Sequence, residues 1–277
     1  MELKKEQYLR ERAREIRSLT LRSIASIGTG HIGGSLSIAE LLAVLYFDRM
    51  RIRPTQPDWD ARDKHVLSKG HAGPALYSAL ALRGYFSEEL LYTLNQPHTR
   101  LPSHGDMRRT PGIDMTTGSL GQGASTAAGL ALAQKMDGID AKTYVILGDG
   151  ECQEGQVWEA MLFAAHHRLT NLVVFVDCNG MQIDGTTDAV CSLGGLTEKF
   201  RAFGLSAREA GGHAPAEIAA ALDWAETSGR PAAIVLHTIK GYGVTAFEGS
   251  LASHHAALPQ TLLEQCLREL EGEEMYR

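Results

Sequence analysis

Three apolar, β-branched runs, at residues 143–147, 172–177 and 233–238, constrain this chain more than any other feature. Apolar on successive positions rather than on alternate ones, they read as strands buried on both faces, the mark of a parallel sheet. A shorter candidate covers 64–67. Helical patterns at 122–136, 153–167 and 215–227 fall between or after them. Strands alternating with helices of this length define an α/β fold, a mostly parallel sheet with helices on both faces. Upstream, Leu9, Ala13, Ile16, Leu19, Ser23, Ile24 and Ile27 recur at steps of three and four, which predicts one amphipathic helix. Gly28, Gly30, Gly33 and Gly34 end it, and a second helix is predicted over 37–48, capped by Ser37 with Glu40 three residues on. A charged helix over 259–275 and a long loop over 84–119 complete the outline. With 277 residues and no repeat or linker, a single domain spanning 1–277 is expected.

The bulk chemistry narrows the function. A formal net charge of -6 argues against nucleic acid or an anionic membrane as the main partner. No segment approaches the roughly 18 apolar residues of a membrane span, and the charged stretch over 2–17 is unlike a secretory signal. The four cysteines form no C-x-x-C pair, which fits free thiols in a reducing compartment, hence a cytoplasmic protein.

The sharpest local motif is Gly148-Asp149-Gly150, directly after the run ending at Leu147; the next run leads into Asn179 after 28 intervening residues (151–178). One strand–helix–strand unit separates them, so Asp149 and Asn179 fall at the carboxyl ends of neighbouring parallel strands, where open α/β sheets bind ligands. A carboxylate, an amide oxygen and a backbone carbonyl are hard donors suited to Mg²⁺ completed by phosphate oxygens, and the glycines allow close approach of a phosphate. A helix N-terminus offers an anion about 0.3–1 kcal/mol. Micromolar retention of a cofactor requires roughly 8 kcal/mol, so a diphosphate site calls for a dication as well as dipoles. A lone Asp-Gly turn is more often a plain strand ending; the pairing with Asn179 on the same sheet edge is what makes this one informative.

The GDG-to-Asn arrangement resembles the thiamine-diphosphate signature, and the longer stretch from Gly148 to Gly155 is similar to the transketolase family in particular. That resemblance implies Mg²⁺, with Ca²⁺ or Mn²⁺ able to substitute, held by Asp149, Asn179 and the carbonyl of Met181. It implies thiamine diphosphate bound by His71, Gly118, Ser119, Leu120, Gly150, Glu151, Asn179 and His254. It implies catalytic roles for His31, His104 and His254, with His255 beside His254 leaving open which of the two reaches the cofactor. Glu154 is either a carboxylate favoured at a helix N-terminus or, as the resemblance implies, part of an acidic chain at a dimer interface.

In that family a glutamate on a separate pyrimidine-binding domain activates the cofactor, and no such domain follows the third apolar run here. The resemblance therefore implies one half of a split transketolase acting on sugar phosphates. A C-terminal partner chain would supply the missing domain, with two copies of each chain in a heterotetramer. The alternatives are the alpha chain of a 2-oxoacid dehydrogenase, a 1-deoxyxylulose-phosphate synthase fragment, a non-catalytic binding paralogue, or a nucleotide-binding oxidoreductase. Against the last, Gly118 to Gly123 carries a reversed glycine spacing with no clear strand before it, and the absence of any Gly-Lys dipeptide excludes a P-loop.

Overall fold

Each apolar run forms a strand, and the strands align in one sheet. In the computed structural model, which describes residues 1–272, the chain opens with helix α1 (Leu3–Ala25) and the short strand β1 (Thr29–Gly30). It continues through α2 (Gly33–Leu36), α3 (Ala39–Val44), β2 (Lys64–Leu67), α4 (Gly73–Arg83) and α5 (Gln122–Met136). Next come β3 (Thr143–Gly148), α6 (Gly155–His166), β4 (Leu172–Cys178), and a small hairpin of β5 (Met181–Gln182) and β6 (Gly185–Thr186). The last part holds α7 (Thr187–Cys191), α8 (Leu196–Ala202), β7 (Ser206–Gly211), α9 (Pro215–Thr227), β8 (Ala232–His237), β9 (Ala256–Ala257) and α10 (Gln260–Gly272). Five strands form the main sheet in the order β2-β3-β4-β8-β7, every neighbouring pair parallel.

Alternation along the strands explains why the runs are apolar throughout. Tyr144, Ile146, Phe175, Ile234 and Leu236 enter one core with α1, α3, α4, α9 and α10. Val145, Leu147, Val174, Val176 and Val235 enter the other with α5, α6 and α8. Strands β3, β4 and β8 thus bury both faces under helices. Among the described residues no helix is long and apolar enough to cross a membrane.

The structure adds one strand to the expected sheet and alters three helices in detail. The edge strand β7 has no apolar run, because only one of its residues, Ala207, is buried and its charged Arg208 and Glu209 suit a sheet edge. The helix expected over 37–48 is a short α3 continued by a π-helical turn (Leu45–Arg49), with Ile38 and not Ser37 at its N-cap. Ser37 instead donates to Asp177 Oδ2 at 2.8 Å, and Glu40 pairs with Arg17 at 2.6 Å and His213 at 3.1 Å. Burial alone would raise the Glu40 carboxyl; Arg17 and His213 hold it down at about 2. Long-range partners have displaced the local capping box. The helix expected over 153–167 begins only at Gly155, after a 3₁₀ turn (Gly150–Gln153) and an extended Glu154. Of the charged helix expected over 259–275, the part from Gln260 to Gly272 is helical; its expected end at Met275 lies outside the described residues.

Candidate cofactor site

The carboxyl ends of β2, β3, β4 and β8 open on a cavity of about 300 Å³. Its wall includes His31, Lys69, His71, His104, Gly118, Leu120, Asp149, Gly150, Glu151, Asn179, Met181, Ile183, Lys240 and His254. Of the residues singled out from sequence, Ser119, Glu154 and His255 stay off this wall; Ser119 is exposed, and its carbonyl accepts from Gln122 N.

Asp149 leaves the end of β3 almost fully buried, at 3% exposure. Its Oδ1 accepts from Gly150 N at 2.8 Å and its Oδ2 from Gly180 N at 2.6 Å, which locks the two strand-end loops together. Burial and the nearby charge of Asp177 raise its pKa to about 6, against the pull of those two N–H donors. Asn179 is oriented from both ends: Nδ2 donates to Asp177 Oδ2 at 3.0 Å, and Oδ1 accepts from Met181 N at 3.1 Å. The hard oxygens at this end are thus one carboxylate, one amide and one carbonyl. Among the described residues no group of three or more His, Cys, Asp or Glu is placed to hold a metal. A cation here would need further oxygens, and a phosphate is the natural source.

Beneath them lies an ion pair with no sequence signature. Asp177 is fully buried and accepts from Lys69 Nζ, Ser37 Oγ, Asn179 Nδ2 and Thr238 Oγ1. Burial would raise its carboxyl, but Lys69 and these donors hold it below the usual range. Lys69 also donates to Gly34 O at 2.9 Å, and a Cβ at Gly34 would come within 2.9 Å of His71 Nε2. A second cation, Lys240, sits just past β8 with Nζ 3.1 Å from His254 Nδ1 and 3.5 Å from Met181 O. Burial, with Lys69 nearby, lowers it to about 8. Both lysines were missed in the sequence. The available signal for Lys240 was its place just beyond the third apolar run, on the edge that carries Asp149 and Asn179.

Glu151 turns back from the 3₁₀ turn, and its carboxylate accepts from Ser68 Oγ, Gly121 N at 2.8 Å and Gly148 N at 3.0 Å. Its oxygens are engaged by the chain's own donors, and they fix the loop before α5. In that loop Gly118 takes a positive φ of 145°, which side chains rarely adopt.

Facing the oxygen donors is a cluster of imidazoles. The His31 ring lies 5.6 Å from that of His71, 5.8 Å from His104 and 5.5 Å from His254, and His71 lies 5.0 Å from His254. Burial, reinforced by neighbouring cationic groups, lowers His31 and His254 to about 4 and His71 well below its ordinary value; burial also lowers His104. All four are neutral near pH 7, each able to donate at one nitrogen and accept at the other. In His254 the Lys240 donor occupies Nδ1, which places the proton on Nε2.

These depressed values predict a direction for stability. An unfolded histidine titrates near 6.5, so between 6.5 and 4 the unfolded chain binds more protons at these rings than the folded one. Their contribution is complete above about 6.5 and is lost as pH falls towards 4; the raised carboxyl of Asp149 offsets part of it. His65, buried on β2 and lowered to about 3, acts in the same direction. The melting temperature is expected to fall between pH 7 and pH 5 in a thermal melt of the full chain. A flat or rising profile would mean that these rings accept protons in the folded state.

Fold and site together define the class: an α/β domain with a polar pocket at the carboxyl edge of a parallel sheet. Residues 9–273 match the family model described as transketolase, thiamine diphosphate binding domain. The chain is 54% identical to the 6-deoxy-6-sulfo-D-fructose transketolase subunit of Clostridium sp. (strain MSTE9), over 96% of this chain and 97% of that protein. It is 40% identical to an apulose-4-phosphate transketolase subunit of Phocaeicola vulgatus, over 87% of this chain and 86% of that one. The crystal structure of transketolase from Campylobacter jejuni superposes with a TM-score of 0.91 at 34% identity, covering 98% of this chain and 43% of that one. The chain belongs to the transketolase family, and it corresponds to the thiamine diphosphate binding domain. It spans less than half of the Campylobacter jejuni transketolase. The matches are to transketolases, which sets aside the oxidoreductase and 2-oxoacid dehydrogenase alternatives.

Proposed function

We propose that this chain is the diphosphate- and metal-binding subunit of a two-chain transketolase, moving a two-carbon ketol unit from a ketose donor to an aldose acceptor. One observation carries the reading: a single cavity sets the oxygens of Asp149, Asn179 and Met181 against four neutral imidazoles.

The residues present fit thiamine diphosphate and Mg²⁺. Burial and the charge of Asp177 hold the Asp149 carboxyl near pKa 6, and a dication beside it would favour its ionised form. Asp149, Asn179 and the Met181 carbonyl would hold Mg²⁺, and the same hard-oxygen set admits Ca²⁺ or Mn²⁺. Lys240, His71, His254 and the Gly150 backbone would receive the diphosphate, with Gly118, Ser119 and Leu120 against the ring system and Glu151 fixing their loop. When bound, thiamine diphosphate supplies the nucleophilic carbon and electron sink needed to break a carbon–carbon bond beside a ketone. His31 and His104 hold sugar hydroxyls and pass protons, for which a neutral imidazole with one donor and one acceptor is suited.

The relatives named as subunits are matched over nearly their whole length, 97% and 86% for the two described above, which supports one domain here and a pyrimidine-binding domain on a partner chain. Four free cysteines suit a cytoplasmic setting. For the donor, those relatives act on a sulfo-sugar and a sugar phosphate by name, so a sugar with a terminal anion is the class to assay. The test is a panel: this chain plus its partner, thiamine diphosphate and Mg²⁺, offered fructose 6-phosphate, other pentose-phosphate ketoses and 6-deoxy-6-sulfo-D-fructose. Transfer to an aldose acceptor is expected with at least one; none with any donor would refute the reading.

A two-plus-two heterotetramer is the assembly we infer. On the face of the sheet covered by α5 and α6, Met136, Leu162 and Phe163 are exposed at 77%, 61% and 40%, apolar surface suited to a second copy of this chain. Leu162→Asp combined with Phe163→Asp is expected to halve the mass of the complex in light scattering. An unchanged mass would place the contact between copies elsewhere.

A further inference from the structure

The ribbon of β1 and β9 pairs Thr29 with Ala257 and Gly30 with Ala256. One residue further, the antiparallel register sets His31 opposite His255, and the two rings meet edge to face, centroids 4.8 Å apart at 88°. Of the imidazoles around His31 this is the nearest, and it differs from the others in place. His71, His104 and His254 line the cavity, whereas His255 is exposed outside it. The backbone at His255 is extended (φ -142°, ψ 110°), so successive side chains diverge: His254 goes to Lys240 in the cavity wall, His255 to the His31 ring from outside that wall.

Thr29 completes the arrangement. Its hydroxyl donates its one proton to Ala256 O at 3.0 Å. In the 3.5 Å contact with His255 Nδ1 the hydroxyl oxygen is therefore left to accept. The strand that leads into His31 thus also steers the ring that braces it.

We propose that His255 is a positioning residue for His31, holding its imidazole plane against the cavity through the edge-to-face contact while Thr29 orients His255 in turn. The proposal rests on the reading of His31 as a substrate-facing group. Such pairs are favoured because the positive edge of one ring meets the negative face of the other. Without the brace, the His31 ring loses its nearest aromatic contact and spends less time pointed at the substrate.

The test compares His255→Ala with His255→Phe, which keeps a ring but no nitrogen. Imidazole ¹H–¹⁵N correlation spectra are taken of the full chain without its partner. Rates are measured on the two-chain enzyme with fructose 6-phosphate or 6-deoxy-6-sulfo-D-fructose, whichever the panel shows to be a donor. His255→Ala is expected to shift the His31 ring resonances and to lower kcat about three- to tenfold with KM nearly unchanged, the range an edge-to-face pair supports. His255→Phe is expected to restore most of the rate. Unmoved His31 resonances in His255→Ala overturn the proposal. So does a His255→Phe enzyme as slow as His255→Ala, which would mean that a His255 nitrogen meets substrate directly. Shifted resonances in a pair that turns over no donor would sustain the brace and overturn the transketolase reading instead.

Discussion

Asp149→Ala is expected to weaken Mg²⁺-dependent thiamine diphosphate binding by about a hundredfold or more. Loss of groups that merely support metal ligands typically weakens binding about 10- to 100-fold, and Asp149 is the one carboxylate in the donor set. Without it the cation would keep two neutral oxygens, Asn179 Oδ1 and Met181 O, the second with the Lys240 ammonium 3.5 Å away. A hundredfold is about 2.8 kcal/mol of the roughly 8 that micromolar retention requires. The substitution also frees Gly150 N and Gly180 N, which the carboxylate holds. Asp149→Asn, which retains an acceptor for one of them, separates loss of charge from loss of order. Calorimetry on the two-chain complex, with and without Mg²⁺, is the check. Unchanged affinity in Asp149→Ala would remove this residue from the metal's donor set.

The second large effect is on stability. Lys69→Met leaves Asp177 ionised and buried, with three neutral donors in place of an ammonium. The two side chains are 1% and 0% exposed, so water cannot replace the lost partner. Breaking such a pair from one side typically costs about 3–5 kcal/mol. Urea denaturation of the full chain should show a loss of this order. Adding Asp177→Asn to Lys69→Met is expected to recover part of it, because the unpaired charge goes with the carboxylate. A single variant with an unshifted midpoint would show that the pair does not bear on folding.

How much of this was legible beforehand divides along a physical line. Strand ends are set by local apolar runs, so Asp149 and Asn179 could be placed on one sheet edge from spacing alone. His31, His71 and His104 stand beside glycines in predicted loops, and loops at that edge face the cavity. The Lys69–Asp177 pair joins residues 108 positions apart, and neither carries any local pattern. Ser37 and Glu40 fit a capping box by spacing, yet both side chains are drawn to distant partners whose burial the sequence does not announce. Strand β7 escaped because an edge strand with one buried residue has little apolar signal to read.

The half-enzyme claim has its most direct test in a titration. A fixed amount of this chain, saturated with thiamine diphosphate and Mg²⁺, is mixed with increasing amounts of a chain carrying the pyrimidine-binding domain, and ketol transfer is followed. The expected rate is at background for either chain alone and rises to a plateau at one equivalent. Ketol transfer by this chain alone, at the rate of the mixture, would contradict it.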